Sequence, residues 1–142
     1  MSNVEDELAL RDLMARYVDA VNRYDEQAWI ATWAEDGVWN LLGTPVEGRD
    51  AILSMWQQMM ATFEYALLFP NSCHFEIEGD SASGHWYLHE YTRDGEGNAS
   101  AILSRYNDTY VKQQGQWLFQ SRAYEFIYNG PPDFSGAFTR PG

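Results

Sequence analysis

The hydrophobic pattern of the chain predicts an α+β fold, with N-terminal helices wrapped by a strongly curved antiparallel sheet into a cone with an internal pocket. Three observations lead there. Over roughly the first sixty positions apolar residues recur at three- and four-residue steps, the period of helices with one buried stripe. From Ala66 onward the period falls to two, and four long segments alternate as strands do. Those segments are joined by Gly79-Asp80, Asp94-Gly95-Glu96-Gly97-Asn98 and Gln114-Gly115, short polar links of the kind that connect neighbouring antiparallel strands.

Taken in order, Ser2 and Glu5 fit a capping box at the start of the first helix. Leu10, Leu13, Met14, Tyr17, Val21 and Tyr24 then form its inward stripe. Asp25 stands ahead of the spacing Ala28, Trp29, Thr32 and Trp33, which reads as a second helix over residues 26–35 ended by Gly37. An acid there either caps the helix, accepting from free backbone N–H groups, or stands at a pocket mouth able to take a proton. The two roles can coexist. Val38-Trp39-Asn40-Leu41 begins a strand, Gly43-Thr44-Pro45 turns, and Gly48-Arg49-Asp50 opens a third helix running through Ile52, Met55, Trp56 and Met59 to near Phe63. Strands are expected over 66–78, 81–93, 99–113 and 116–128. The tail from Asn129 is irregular, with Phe134 and Phe138 expected to pack. One domain over residues 1–142 is expected, without repeats or linkers.

Composition narrows the functional classes. Aromatics make up 15% of the 142 residues, including six Trp and nine Tyr, enough to line a cavity or an oligomer interface as well as fill a core. The net charge of −12 repels phosphate backbones and anionic bilayers, which argues against nucleic-acid and membrane partners. Cys73 is alone, so no intrachain disulfide or cysteine zinc site is expected. The N-terminus lacks the regions of a signal peptide, and no apolar run nears the roughly 20 residues that span a bilayer. A cytoplasmic location is expected. His85 and His89 fall on a strand, where their spacing does not converge on one metal ion. Gly95-Glu96-Gly97 is a hairpin turn with no helix after it, and no Gly-x-Ser-x-Gly elbow occurs. Neither metal nor cofactor is expected.

Tyr24-Asp25, Trp33, Asp36-Gly37-Val38-Trp39, Gly48-Arg49-Asp50-Ala51-Ile52, Asn71, Glu78-Gly79-Asp80, Tyr106-Asn107-Asp108-Thr109-Tyr110 and Gly115-Gln116-Trp117 together resemble the SnoaL-like group. This is a branch of the nuclear-transport-factor-like α+β cone superfamily, and the likeness runs in order over about residues 5–128. Scytalone dehydratase and hexachlorocyclohexane dehydrochlorinase are its nearest guides. The resemblance implies removal of a small group from a ring substrate, without cofactor or metal, by an Asp paired with a His. It puts Asp25 on that Asp, Tyr24 beside it, Trp39 and Tyr106 on pocket aromatics, and Arg122 on a pocket-facing basic position. The His position, counted back from Asn71, holds Leu67, which cannot move a proton.

Strand alternation extends the site. If Leu67 points inward, so do Phe69, Asn71, Cys73 and Phe75, while His74 points out. The resemblance places Trp86, Leu88, Glu90 and Thr92 inward, leaving His85 and His89 outside. A one-residue bulge would reverse everything beyond it. The expected pocket holds Tyr24, Asp25, Trp39, Leu67, Trp86, Leu88, Glu90, Tyr106, Asp108 and Arg122. Arg122 either ties strands together through Asp108, or keeps an acid ionised or binds a substrate oxygen. Glu90, if inward and unpaired, has a raised pKa and can stand in for the missing His; turned outward, it is an ordinary surface acid. Tyr24 and Tyr106 are packed rings or donors to a developing oxyanion. The function expected is a cofactor-independent lyase or isomerase on a hydrophobic aromatic ring compound, eliminating water or halide or releasing formaldehyde. Asp25 would be the base and Tyr24, Tyr106 or Arg122 the charge stabiliser. The alternative is a binding or accessory module, including the small subunit of a ring-hydroxylating dioxygenase. Resemblance favours a homotrimer over a dimer.

Overall fold

The structure, a computed structural model, describes residues 3–142. Helix α1 (Val4–Arg23) buries Leu10, Leu13, Met14, Tyr17 and Val21, the expected stripe up to its last turn. Ser2 of the expected capping box lies outside the described residues, and Asn3, at the N-cap, makes no side-chain cap bond. Tyr24 departs from the stripe. It closes α1 in the left-handed conformation (φ 55°), which swings its ring out of the core to stack on Trp56, 45% exposed.

Helix α2 (Glu26–Ile30) is half the expected length. Thr32 turns its hydroxyl back onto the Trp29 carbonyl, and Trp33 already belongs to strand β1 (Trp33–Leu41). A β-branched residue and a bulky ring gain more from pairing with the sheet than from another helical turn. Gly37 therefore lies inside β1 and not at a helix end; there the pairing with the last strand shifts register, and a Cβ would stand 3.0 Å from the Trp33 ring. Leu42-Gly43 makes the turn, so Thr44 and Pro45 belong to a short strand, β2 (Thr44–Glu47). Helix α3 (Arg49–Met60) follows, and Arg49 donates to the Trp33 carbonyl through Nε at 2.8 Å.

Four long strands complete the fold: β3 (Phe63–Glu78), β4 (Ser81–Asp94), β5 (Ala99–Gln113) and β6 (Gln116–Gly130). One six-stranded sheet has the order β2-β1-β6-β5-β4-β3. Its pairs are antiparallel except β1 with β6. The curved, unclosed sheet wraps the helices. Trp29, Trp33, Trp39 and Trp56 pack ring on ring between them, with Trp29 and Trp56 stacked at 4.5 Å. In the tail, Phe134 and Phe138 pack on Tyr128 at 5.2 and 4.5 Å between ring centroids.

The bulge sits in β3. Pairing with β4 jumps from Pro70–Leu88 to Ser72–Tyr87, leaving Asn71 unpaired in the ladder. Pro70 has no N–H to give, which suits it to such a break. Cys73 and Phe75 keep the expected inward parity and, with Ile77, pack on the core. Before the bulge, parity is reversed: Ala66 and Leu68 face in, while Leu67, Phe69 and Asn71 belong to the outer face. Asn22 of α1 holds Leu68 there, donating to its carbonyl at 2.9 Å and accepting from its N–H at 2.7 Å. On the outer face the rings of His74 and His85 stack at 6.0 Å, and His89 Nδ1 meets Asn71 Oδ1 at 2.7 Å.

Candidate functional site

Between α1, α3 and the inner face of the sheet lies a cavity of about 340 Å³. Its walls are apolar, with Trp39, Trp56, Met60, Leu68, Ile102 and Phe126 the main surfaces. Three polar side chains enter the interior: Tyr17 from α1, Glu90 from β4 and Tyr106 from β5. Periodicity explains why they converge. Tyr17 shares the stripe of Leu13 and Val21, Glu90 shares the face of Leu88, and Tyr106 that of Ser104 and Asp108.

Glu90 is the one ionisable carboxyl in this wall. Among the described residues no Lys or Arg pairs with it, and its only hydrogen bond is a long one from Ser104 Oγ at 3.5 Å. Burial raises its pKa to about 7, with Ser104 pulling weakly the other way. A carboxyl so placed can both take and return a proton near neutrality.

The hydroxyls of Tyr17 and Tyr106 lie 3.1 Å apart. Burial holds both phenols above their ordinary value, against the opposing pull of Arg122. Arg122 lies behind them, fully buried, its guanidinium 3.7 Å from the Tyr106 ring centroid, 3.9 Å from Phe119 and 4.5 Å from Tyr17. It grips Asp108 with two bonds, Nε to Oδ1 at 2.8 Å and Nη2 to Oδ2 at 3.0 Å. Tyr110 donates to the same carboxylate at 2.7 Å. Burial works against the Arg122 cation, but the charge and hydrogen bonds of Asp108 together with the Tyr17 and Tyr106 phenols more than offset it, so the guanidinium stays protonated.

The expected site is thus redrawn. Trp39, Glu90 and Tyr106 line the cavity. Asp108 and Arg122 lie beneath its floor as a closed ion pair that ties β5 to β6. Trp86 and Leu88 face inward as expected but are spent in the core, Trp86 edge-on to Phe75. Leu67 is displaced by the parity change, and Leu68 takes its place on the wall. Asp25 is the N-cap of α2: Oδ1 accepts from Ala28 N–H at 3.1 Å, Oδ2 lies 3.6 Å from Arg23, and the side chain is 38% exposed. Neither Asp25 nor Tyr24 lines the cavity.

Tyr17 was visible only as a stripe residue, although a polar-tipped ring among aliphatic neighbours is itself a signal. Thr92 lines the wall as the resemblance implied, Ser100 carried no sequence signal beyond strand parity, and Asn129, expected at the start of the irregular tail, belongs to β6, which runs on to Gly130. Among the described residues no cluster of three or more His, Cys, Asp or Glu could hold a metal ion, and no helix is long and apolar enough to cross a membrane.

Residues 2–123 match the SnoaL-like domain family. Among solved structures, a proposed aromatic ring hydroxylase from Novosphingobium aromaticivorans is 26% identical, with a TM-score of 0.84 over 90% of this chain and 93% of its own. A proposed scytalone dehydratase from the same organism is 19% identical, with a TM-score of 0.84 over 98% of this chain and 94% of its own. The hexachlorocyclohexane dehydrochlorinase of Novosphingobium barchaimii is 17% identical, with a TM-score of 0.84 over 99% of this chain and 97% of its own. These last two likenesses are of fold. A comparison with curated protein sequences finds no match. With most of its length covered by that one family, and with the cone and inner cavity described above, the chain belongs to the SnoaL-like domain family.

Proposed function

We propose that this protein is a cofactor-independent lyase or isomerase acting on a hydrophobic, oxygen-bearing ring compound, with Glu90 as its acid and base. The observation that carries this reading is a carboxyl with no cationic partner among the described residues, facing the same small apolar cavity as a phenol pair. Ionised Glu90 takes a proton from the ring carbon next to a carbonyl carbon, the electron pair of that C–H bond forms a carbon–carbon double bond, and the carbonyl π pair moves onto the oxygen. The Tyr17–Tyr106 pair donates a hydrogen bond to that oxygen as its charge grows. In a lyase the electrons then return to expel the leaving group from the next ring carbon: Glu90 hands its proton to a departing hydroxyl, which leaves as water, or releases it to solvent after halide departs. In an isomerase the same proton returns at another carbon. Trp39, Trp56 and Leu68 hold the ring. Relatives described as a ring hydroxylase and a scytalone dehydratase lend support to a ring substrate.

The test is proton exchange. Cyclic ketones and enones incubated with the protein in D₂O are followed by NMR for loss of the α-proton signal. One positioned base is worth roughly 10²–10⁴ in rate, so Glu90→Gln should lose that much. A folded Glu90→Gln protein with undiminished exchange would remove Glu90 from the reaction.

A second reading, a binding or accessory module such as a ring-hydroxylating dioxygenase small subunit, draws on Asp25. In its capping role Asp25 is withdrawn from chemistry, and the wall offers no His. Ligand binding without exchange of any probe would favour it. Under either reading we place the protein in the cytoplasm as a homotrimer, joined through the outer sheet face that exposes Tyr65, Phe69 and Tyr91.

A further inference from the structure

Besides Glu90, three adjacent strands of the cavity wall each supply one more polar side chain: Thr92 from β4, Ser100 from β5 and Asn129 from β6. The register makes them neighbours. Thr92 pairs directly with Ser100, Glu90 pairs with Ile102 one step deeper, and Ile102 pairs with Asn129. Same-face residues two apart on a strand are separated by about 7 Å, so Thr92 and Ser100 stand roughly one ring beyond the Glu90 carboxyl, while Asn129 stands level with Glu90, two strands across. Among the described residues none of the three side chains has a hydrogen-bond partner, whereas the deeper inward polar groups do: Ser104 donates to Glu90, and Asp108 is held by Arg122 and Tyr110. No Lys or Arg lines the cavity, and its one charged wall residue is the acid Glu90.

From this placement we infer that the substrate is an uncharged ring compound with two polar ends, one oxygen at Tyr17–Tyr106 and Glu90, and a second neutral hydroxyl or carbonyl at Thr92, Ser100 and Asn129. This rests on the acid/base reading of the cavity and adds the substrate class. Hydroxyls and an amide can donate to or accept from a neutral oxygen, and the apolar side chains of Ile102 and Phe126, which lie in register between Tyr106 and the Thr92–Ser100 pair, fit the body of the ring. A carboxylate or phosphate at the same point would meet no cation and would add to the field of Glu90 and of a chain with net charge −12.

The experiment compares three probes by calorimetry: β-naphthol, the naphthalenediol with a second hydroxyl at the far end of the other ring, and the hydroxynaphthoate with a carboxylate there. The diol should bind roughly 3- to 10-fold more tightly than naphthol, the gain of one net hydrogen bond, and the carboxylate more weakly than either. The diol-to-naphthol ratio should fall to near one in Thr92→Val/Ser100→Ala, and in Asn129→Leu should the double variant fail a thermal-unfolding check. An advantage that is absent from the native protein, or that survives these changes, overturns the inference while leaving the acid/base reading intact. Naphthol binding that is indifferent to Tyr17→Phe/Tyr106→Phe, or no binding by any probe, overturns the reading of the cavity and the inference with it.

Discussion

The Tyr17 and Tyr106 hydroxyls, one from the middle of α1 and one from β5, meet at 3.1 Å inside the cone. Two phenols carry two protons. One is used between them, so the pair has a single O–H left to offer a ligand, strengthened by the bond behind it. Either single Tyr→Phe change leaves one donor and removes only that reinforcement, an expected loss of about tenfold in turnover. Tyr17→Phe/Tyr106→Phe removes the donor altogether and should cost roughly 10²–10³-fold, as much as the two single losses multiplied or more. Turnover in the three variants on one substrate checks this.

Glu90 links activity to stability with opposite signs. In the unfolded chain it releases its proton near its ordinary value of 4.5, and in the folded protein near 7. Between those values the folded state holds more protons, so stability falls as pH rises from about 4.5 to about 7 and is level above. Glu90→Gln removes the penalty, and chemical denaturation above neutrality should find the variant more stable by roughly 3 kcal/mol at most. Base-catalysed turnover of the native protein should rise through the same interval as the carboxylate forms.

Much of this fold was legible because period is a strong local signal. The second-half strands follow from alternation, and the SnoaL-like resemblance adds the cone and the inner parity of Glu90. What was not legible depends on contacts distant in sequence. The bulge at Asn71 needs β4 beside it to have meaning, and it alone moves Leu67 out and Leu68 in. Tyr24 has the spacing of a core residue, but the left-handed end of α1 turns its ring away. Tyr17 and Tyr106 are 89 residues apart, so no local pattern could announce their contact.

The Asp108–Arg122 pair should be fragile to half-removal and tolerant of full replacement. Arg122→Met leaves the Asp108 carboxylate buried, held only by Tyr110, and should cost about 3–5 kcal/mol. Asp108→Leu/Arg122→Met removes both charges with similar volume and should recover most of that loss. Urea unfolding of the single and double variants gives the comparison. If the double variant is as unstable as the single, the deficit lies in the ring packing around the guanidinium at Tyr106 and Phe119 and not in the stranded charge.

Asp25 gives the sharpest contrast between position in sequence and position in space. Its carboxylate is committed to the Ala28 N–H at the start of α2, with Arg23 nearby, and it lies outside the cavity that holds Glu90. Asp25→Ala should therefore cost about 0.5–2 kcal/mol in unfolding free energy, the worth of an N-cap, and Asp25→Ser should restore most of it. Turnover measured well below the melting temperature should change less than twofold in both variants, since a cap acts on the helix and not on the reacting atoms. A loss of 10²-fold or more in a folded Asp25→Ser protein would instead bring the carboxylate into the reaction, and would require α2 to turn inward when substrate binds.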